Sequence, residues 1–326
     1  MKIAVTGATG FIGSHIVDKL IDENHEVYIL ARENSDLKDV NTKSKVIHID
    51  LYNVEDLKVK LENVEILIHC GGALFGKDYK YFYKSNVQTT INLIASIKEN
   101  VNFKQFIFIS SLTAVGPSLA LENPVNEKSK RKPITNYGKS KAEAEEYIES
   151  QSGWLNYTIF RLPAVFGPRD KAIYSLFKLA NSGFGSLIGF NKKYLSLVYY
   201  KDIVNVINLS LLNNMATKRI IFLSNTDLYT WDQIMQILKI KLNKNFFINL
   251  RLPHFIVFSL GIINSFASKL LGITPIFNYD KAKDFTQQFW ICDNSELRNT
   301  LKYNNFVNIE DAFQETINWY RENKWL

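Results

Sequence analysis

The chain has 326 residues, 46% of them hydrophobic and 13% aromatic, with a formal net charge of +7. That length suits one large α/β domain, with or without a smaller lobe, and the apolar content is that of an ordinary globular protein. Lysines and acids are interspersed, with no run of five like charges, which argues against a nucleic-acid face; Cys70 and Cys292 fall in no CxxC or Cys/His spacing, which argues against a metal site or disulfide framework and for a reducing, cytoplasmic setting.

Met1-Lys2 leads into Ile3–Val5, an apolar run too short for the core of a signal peptide. The run ends in Thr6-Gly7-Ala8-Thr9-Gly10-Phe11-Ile12-Gly13, after which Ile12, Ile16, Val17, Leu20 and Ile21 share one face at a 3.6-residue period. Between a strand and an amphipathic helix, glycines spaced GxxGxxG suit a dinucleotide. Gly7 permits the tight turn, Gly10 lets backbone approach a pyrophosphate, and Gly13 lets the helix pack close to the strand. The helix N-terminus supplies free N–H groups, so Thr9, Phe11 and Ile12 join the predicted cofactor contacts.

The next run, Val27–Ala31, bears on the choice of cofactor. A fold selective for NAD places an acid at the end of this strand, on the ribose 2′-hydroxyl. Here Ala31 takes that place and Arg32 follows, which favours the 2′-phosphate of NADP over NAD. A surface pair of Arg32 with Glu33 is the alternative. The run Val46–Ile49 leads to Asp50 and Leu51, also assigned to the cofactor; Asp50 either accepts from the adenine amino group or caps its own loop.

Ile66–Cys70, Phe106–Ser110 and Thr158–Leu162 continue the series of apolar runs separated by helical stretches. That alternation predicts a Rossmann-type, doubly wound parallel sheet. Phe106–Ser110 runs into Ser111, and polar residues at the C-terminal end of such a strand are where these sheets place their chemistry. Tyr137 and Lys141 then lie four apart, on one side of a helix predicted from Lys139 onward. A tyrosine acting near neutrality needs its proton loosened by about three pH units, ~4 kcal/mol. An ammonium ~4 Å away at an effective dielectric of ~20 supplies ~4 kcal/mol. Tyr137 could then exchange a proton with a substrate oxygen that Ser111 holds in line.

After Pro168, helix and loop dominate, apart from one more strand at Ile220–Ser224. Ser196–Leu212 reads as a strand edge followed by a helix returning to the sheet. The predicted division is a dinucleotide-binding part, 1–167 plus about 196–225, and a smaller, mostly helical substrate lobe, about 168–195 plus 226–326. His254–Ile273 is apolar and about a bilayer span long. It contains Lys269, Asn264, serines and glycines, so a buried or pocket-lining helix is favoured and membrane contact disfavoured.

TGATGFIGSH, HCGGA at 69–73, SNVQTTINLI at 85–94, FIFISSLTAVG at 106–116, YGKSKAEAE at 137–145, RLPAVFGP at 161–168 and LVYYKDIV at 197–204 occur in this order. Together they resemble the extended short-chain dehydrogenase/reductases, the NAD-dependent epimerase/dehydratase family. The resemblance implies that Ser111, Tyr137 and Lys141 are the catalytic trio, with Tyr137 and Lys141 also on the cofactor. It places Asn86 near the nicotinamide, Pro163 and Val165 beside its ring, and Gly71 and Gly72 where relatives carry alanines in the cofactor loop.

Members acting on nucleotide-sugars often carry an asparagine within the segment matching 161–168 and an arginine shortly before the VYYKD stretch. Ala164 and Leu195 occupy those places here, although a shifted alignment brings in Lys192 or Lys193. The expected substrate is therefore an apolar secondary alcohol or ketone, as in dihydroflavonol reductases and 3β-hydroxysteroid dehydrogenases. A nucleotide-sugar epimerase or dehydratase is the alternative, although Leu112 and Thr113 provide no dehydratase carboxylates; a non-catalytic dinucleotide-binding module is the third reading. Helices at 78–99 and 136–152 are the candidate contact of a homodimer.

Overall fold

The computed structural model describes residues 1–212, 216–271, 273–275 and 277–326. The apolar runs form β1 (Lys2–Thr6), β2 (Glu26–Ala31), β3 (Lys45–His48), β4 (Ile66–His69), β5 (Gln105–Ser111) and β6 (Tyr157–Leu162), joined by an edge strand at Arg219–Phe222. All seven lie parallel, in the order edge strand, β6, β5, β4, β1, β2, β3. The expected runs match these strands to within two residues at either end. Both faces of the sheet are covered, so its strands carry few polar side chains.

On one face, α1 (Phe11–Asp22) and the helix Tyr200–Leu212 bury Ile16, Val17, Leu20, Val206 and Ile207 against Ile3 and Val5. On the other, the helices Val54–Leu61, Thr89–Ile97 and Asn136–Ser150 bury Leu57, Leu93, Ile94 and Ile148 against Leu67, Phe106 and Phe108. Each such side chain removed from water contributes about 1.5–3 kcal/mol. Strand order reverses between β1 and β4, which opens a crevice above their C-terminal ends, the place where doubly wound sheets take ligands.

The strand Tyr194–Tyr199 does not join this sheet. It belongs to a small sheet with Ala164–Phe166, Leu228–Thr230 and Phe289–Trp290; Val198 and the helix that follows the strand pack into the main core. The aromatics of this region are largely its own core: Phe166 stacks on Phe313 at 4.6 Å and Phe177 meets Tyr320 edge-on at 5.2 Å.

The segment expected to be buried departs most from the sequence reading. His254–Leu271 is one helix on the surface, with Phe255, Ile263, Phe266 and Leu270 exposed. Its inner side is made of small residues: Gly261 lies against Asn278 and Ala282, and the Ser265 hydroxyl accepts from the Tyr279 N–H at 3.0 Å. Bulky residues on the other faces of the helix are consequently turned outward. Among the described residues, no helix is long and apolar enough to cross a membrane.

Candidate active site

The turn after β1 is shaped by contacts that exclude side chains. Gly7 has φ +69°, and a Cβ on it would lie 2.6 Å from the Gly71 nitrogen; a Cβ on Gly13 would lie 2.1 Å from the Gly7 oxygen. The helix α1 therefore starts hard against the strand end. Gly10 is its N-cap, no side chain caps it, and its first turn holds no acid. Thr9, Phe11 and Ile12 rim the opening, each half-buried. An uncapped helix N-terminus behind a glycine cradle fits a pyrophosphate.

Behind this cradle, the Thr6 hydroxyl oxygen accepts from the Gly71 N–H at 3.1 Å and lies 2.6 Å from His69 Nδ1. Burial between Phe106 and Phe108, helped by the charge of Lys141, pushes His69 down to about 3, so its ring is neutral. Sequence reasoning took HCGGA for its glycines and missed this fastening; a polar residue inside an otherwise apolar strand was the available signal.

Of the other expected cofactor residues, Ala31 is buried and Arg32 exposed at the end of β2. Glu33 approaches His48 at 3.9 Å, and Arg32 has no ion-pair partner among the described residues. Asp50 accepts from the Tyr52 N–H at 2.9 Å, the loop-capping role, while the Leu51 carbonyl accepts from Asn92 at 2.8 Å. Asn86, buried in a π-helical turn at 83–88, accepts from Ala73 N–H at 2.7 Å and donates to the Ser140 hydroxyl at 2.9 Å. It thereby ties the loop of Gly71 and Gly72 to the helix bearing Tyr137. Pro163 and Val165 follow β6 and are half-buried.

The helix Asn136–Ser150 begins three residues earlier than expected because Thr135 caps it, accepting from the Gly138 N–H at 3.0 Å. Gly138 allows the helix to meet the Ser111 turn: a Cβ there would lie 2.4 Å from the Thr113 oxygen. Ser111, at the end of β5, accepts from the Thr113 N–H at 3.2 Å and the Thr113 hydroxyl at 2.8 Å. Its hydroxyl lies close enough to the Tyr137 phenol to favour the phenolate.

At Tyr137 burial opposes the expected loosening of the phenolic proton. Burial dominates and pushes the phenol up. The Lys141 ammonium donates to the Ile109 carbonyl at 2.9 Å and sits 4.5 Å from the centre of the Phe108 ring. Burial also lowers Lys141 itself to about 8, with Cys70 and Glu145 opposing. The sequence estimate took a charge-pair energy and omitted the cost of drying both groups.

Beneath the trio, a buried network went unread. Glu145, fully buried, accepts from the Ser110 hydroxyl at 2.5 Å, from Arg161 at 2.6 Å and from Arg131 at 2.9 Å. Burial pushes its carboxyl up, but the Arg161 guanidinium outweighs this and holds it below the usual range. Both Glu145 and Arg161 lie inside recognised motifs, YGKSKAEAE and RLPAVFGP, without a role having been drawn for them.

The cleft beside Tyr137 is closed down to about 20 Å³. Leu74, Phe75 and Phe82 line one side, Asp280, Lys281 and Asp284 the other. Asn278 donates to the Gly76 carbonyl at 3.2 Å, and Asp280 accepts from the Asn136 N–H at 2.6 Å, so this second wall is pinned across the site. Lys193 donates to the Thr286 and Gln287 carbonyls at 2.7 and 2.8 Å, capping the same helix. A larger cleft of about 600 Å³, between α1 and the C-terminal helix, contains none of the candidate residues.

A parallel seven-stranded sheet with a glycine cradle at its switch point defines a dinucleotide-binding α/β protein. The model of the NAD dependent epimerase/dehydratase family matches residues 3–224, and the chain belongs to that family. A putative UDP-glucose 4-epimerase of Methanocaldococcus jannaschii is 32% identical over 227 residues, 65% of this chain and 73% of that protein. A ceramide reductase of Caulobacter vibrioides is 24% identical over 99% of this chain and 96% of its own length. The UDP-glucuronic acid 4-epimerase of Bacillus cereus, solved with UDP-glucuronic acid and NAD, superposes with a TM-score of 0.78 at 20% identity, covering 99% of this chain and 100% of that one. At that identity the likeness shows the fold.

Proposed function

We propose that this protein is a nicotinamide-dependent enzyme acting at a secondary alcohol carbon, with Ser111, Tyr137 and Lys141 as its proton-handling centre. The observation that carries this is the close approach, at Gly138, of the helix bearing Tyr137 and Lys141 to the Ser111–Thr113 turn at the end of β5, in the same parallel sheet whose first strand ends in the glycine cradle. Ser111 orients the substrate oxygen and Tyr137 takes or returns its proton. Lys141 holds positive charge beneath them, fixed by the Ile109 carbonyl. The bound dinucleotide supplies or accepts hydride. NAD fits the cradle as well as NADP does; Arg32 without a neighbouring acid partner supports NADP.

For the substrate, the epimerase relatives reverse the order expected from the sequence and put a nucleotide-sugar epimerase first. Such an enzyme interconverts two sugar epimers without net consumption of dinucleotide. The test is to incubate the protein with a UDP-hexose and follow both epimers by NMR. Interconversion at constant reduced-nicotinamide absorbance is expected; no interconversion overturns this reading.

One observation favours a second reading, a reductase of apolar ketones. The position expected to hold a diphosphate-binding arginine is Leu195, and Lys193 is engaged by Thr286 and Gln287. A UDP-sugar that fails to turn over, with NADPH consumed against an apolar ketone, would establish it. In both readings 168–195 plus 226–326 is the proposed substrate lobe.

A further inference from the structure

Glu145 takes no part in the proton transfer proposed above, yet its carboxylate joins the segments that carry that centre. It lies one helical turn after Lys141 on the same face of the helix Asn136–Ser150, and both side chains are buried. From β5 the Ser110 hydroxyl donates to it at 2.5 Å, and Ser110 directly precedes Ser111. From β6 the Arg161 guanidinium donates to it at 2.6 Å through Nη2 and at 3.1 Å through Nε, two residues before Pro163. From the loop leading to Thr135, the cap of the same helix, Arg131 donates at 2.9 Å and continues outward to Glu149.

A clamp between strand and helix does not need a buried charge, which is costly to dry. What the charge does is set by its neighbour. Lys141 is 4% exposed, and its hydrogen-bond partner among the described residues is a neutral carbonyl, that of Ile109. The other groups packed around it bring no anion. His69, from β4, is neutral, and burial pushes the Cys70 thiol up to about 11. Burial likewise holds the proton on Tyr137, and Arg161 and Arg131 are cations. Asp284, which lines the cleft with Tyr137, is paired with Lys281 at 2.8 Å. Glu145 is thus the anion set beneath the ammonium; without it, two guanidinium groups would stand behind Lys141 uncompensated.

We propose that Glu145 is a positioning residue for the reaction: through Ser110 and the shared helix it fixes Ser111 and Lys141 relative to each other, and it shields the Lys141 ammonium from Arg161 and Arg131 so that it stays charged. This rests on the reading of Ser111, Tyr137 and Lys141 as the proton-handling centre. Failure of that reading would show as turnover surviving Lys141→Met, whereas failure of this proposal shows in the titration of Lys141, which needs no substrate.

The experiment titrates Lys141 by NMR of its ε-methylene in the isotope-labelled full chain, the resonance being identified by its disappearance in Lys141→Met. The wild-type midpoint is expected at about 8. In Glu145→Gln it should fall by about one pH unit, as a buried ammonium does when a nearby anion is removed. A merely structural role has the opposite sign: loosened packing lets water reach Lys141 and carries the midpoint up toward the ~10.4 of a free lysine. An unchanged or raised midpoint in the folded variant overturns the proposal. If Glu145→Gln fails to fold, Arg131→Gln decides instead, since Arg131 lies at the outer edge of the network with 20% of its side chain exposed. Removing that cation while keeping the carboxylate should raise the midpoint, and an unchanged or lowered one overturns the proposal.

Discussion

Replacing Lys141 by methionine is expected to abolish turnover and yet strengthen the fold at neutral pH. Lys141 is 4% exposed, and burial brings its ammonium from 10.5 down to about 8. At about 1.36 kcal/mol per pH unit, that difference is a cost of about 3 kcal/mol on the charged form in the folded protein. Because the folded value is the lower one, the unfolded chain binds the extra proton between pH 8 and 10.5. The cost is therefore fully present below pH 8 and disappears as pH rises toward 10.5. Methionine has a similar length and no charge; its packing adds an offset that does not vary with pH. Urea unfolding of both proteins across this range should show wild type gaining about 3 kcal/mol on Lys141→Met between pH 8 and 10.5. A difference that stays flat would refute the view that Lys141 is held charged against burial, and with it the electrostatic account of the site.

Glu145→Gln leaves Arg161, 1% exposed, facing a neutral amide; a loss of about 3–5 kcal/mol is expected in chemical denaturation, since breaking a buried pair strands its partner. Gly13→Ala drives a methyl into the Gly7 carbonyl, and calorimetric titration should show dinucleotide affinity at least ~10-fold weaker as α1 is levered off the turn. Arg32→Ala should lower the ratio of NADP to NAD affinity by roughly tenfold, ~1.4 kcal/mol, leaving NAD binding nearly unchanged. Tyr137→Phe should reduce turnover by roughly 10²–10⁴-fold with dinucleotide binding retained; activity near that of wild type would remove the proposed proton donor.

The main sheet was legible because both its faces are covered, which makes each strand an uninterrupted apolar run. The glycine turn was legible because backbone contacts such as Gly13 against Gly7 admit no other residue. Two kinds of feature were not. The strand Tyr194–Tyr199 has the same apolar character as the main strands, and only tertiary pairing assigns it to the small sheet. The helix His254–Leu271 is largely apolar, but whether its bulky side faces core or water is set by where Gly261 finds a close neighbour. The site shows the same limit. The spacing of Tyr137 and Lys141 puts them on one helix face, but it does not reveal how completely water is excluded, and desolvation decides their protonation.

The neutral imidazole of His69 gives the nucleotide cradle tolerance to acid. Its Nδ1 lies 2.6 Å from the Thr6 hydroxyl oxygen, and burial pushes its protonation down to about 3. The shape of the Gly71 loop should thus persist through mild acidification, and any acid-induced loss of dinucleotide affinity must originate elsewhere in the molecule.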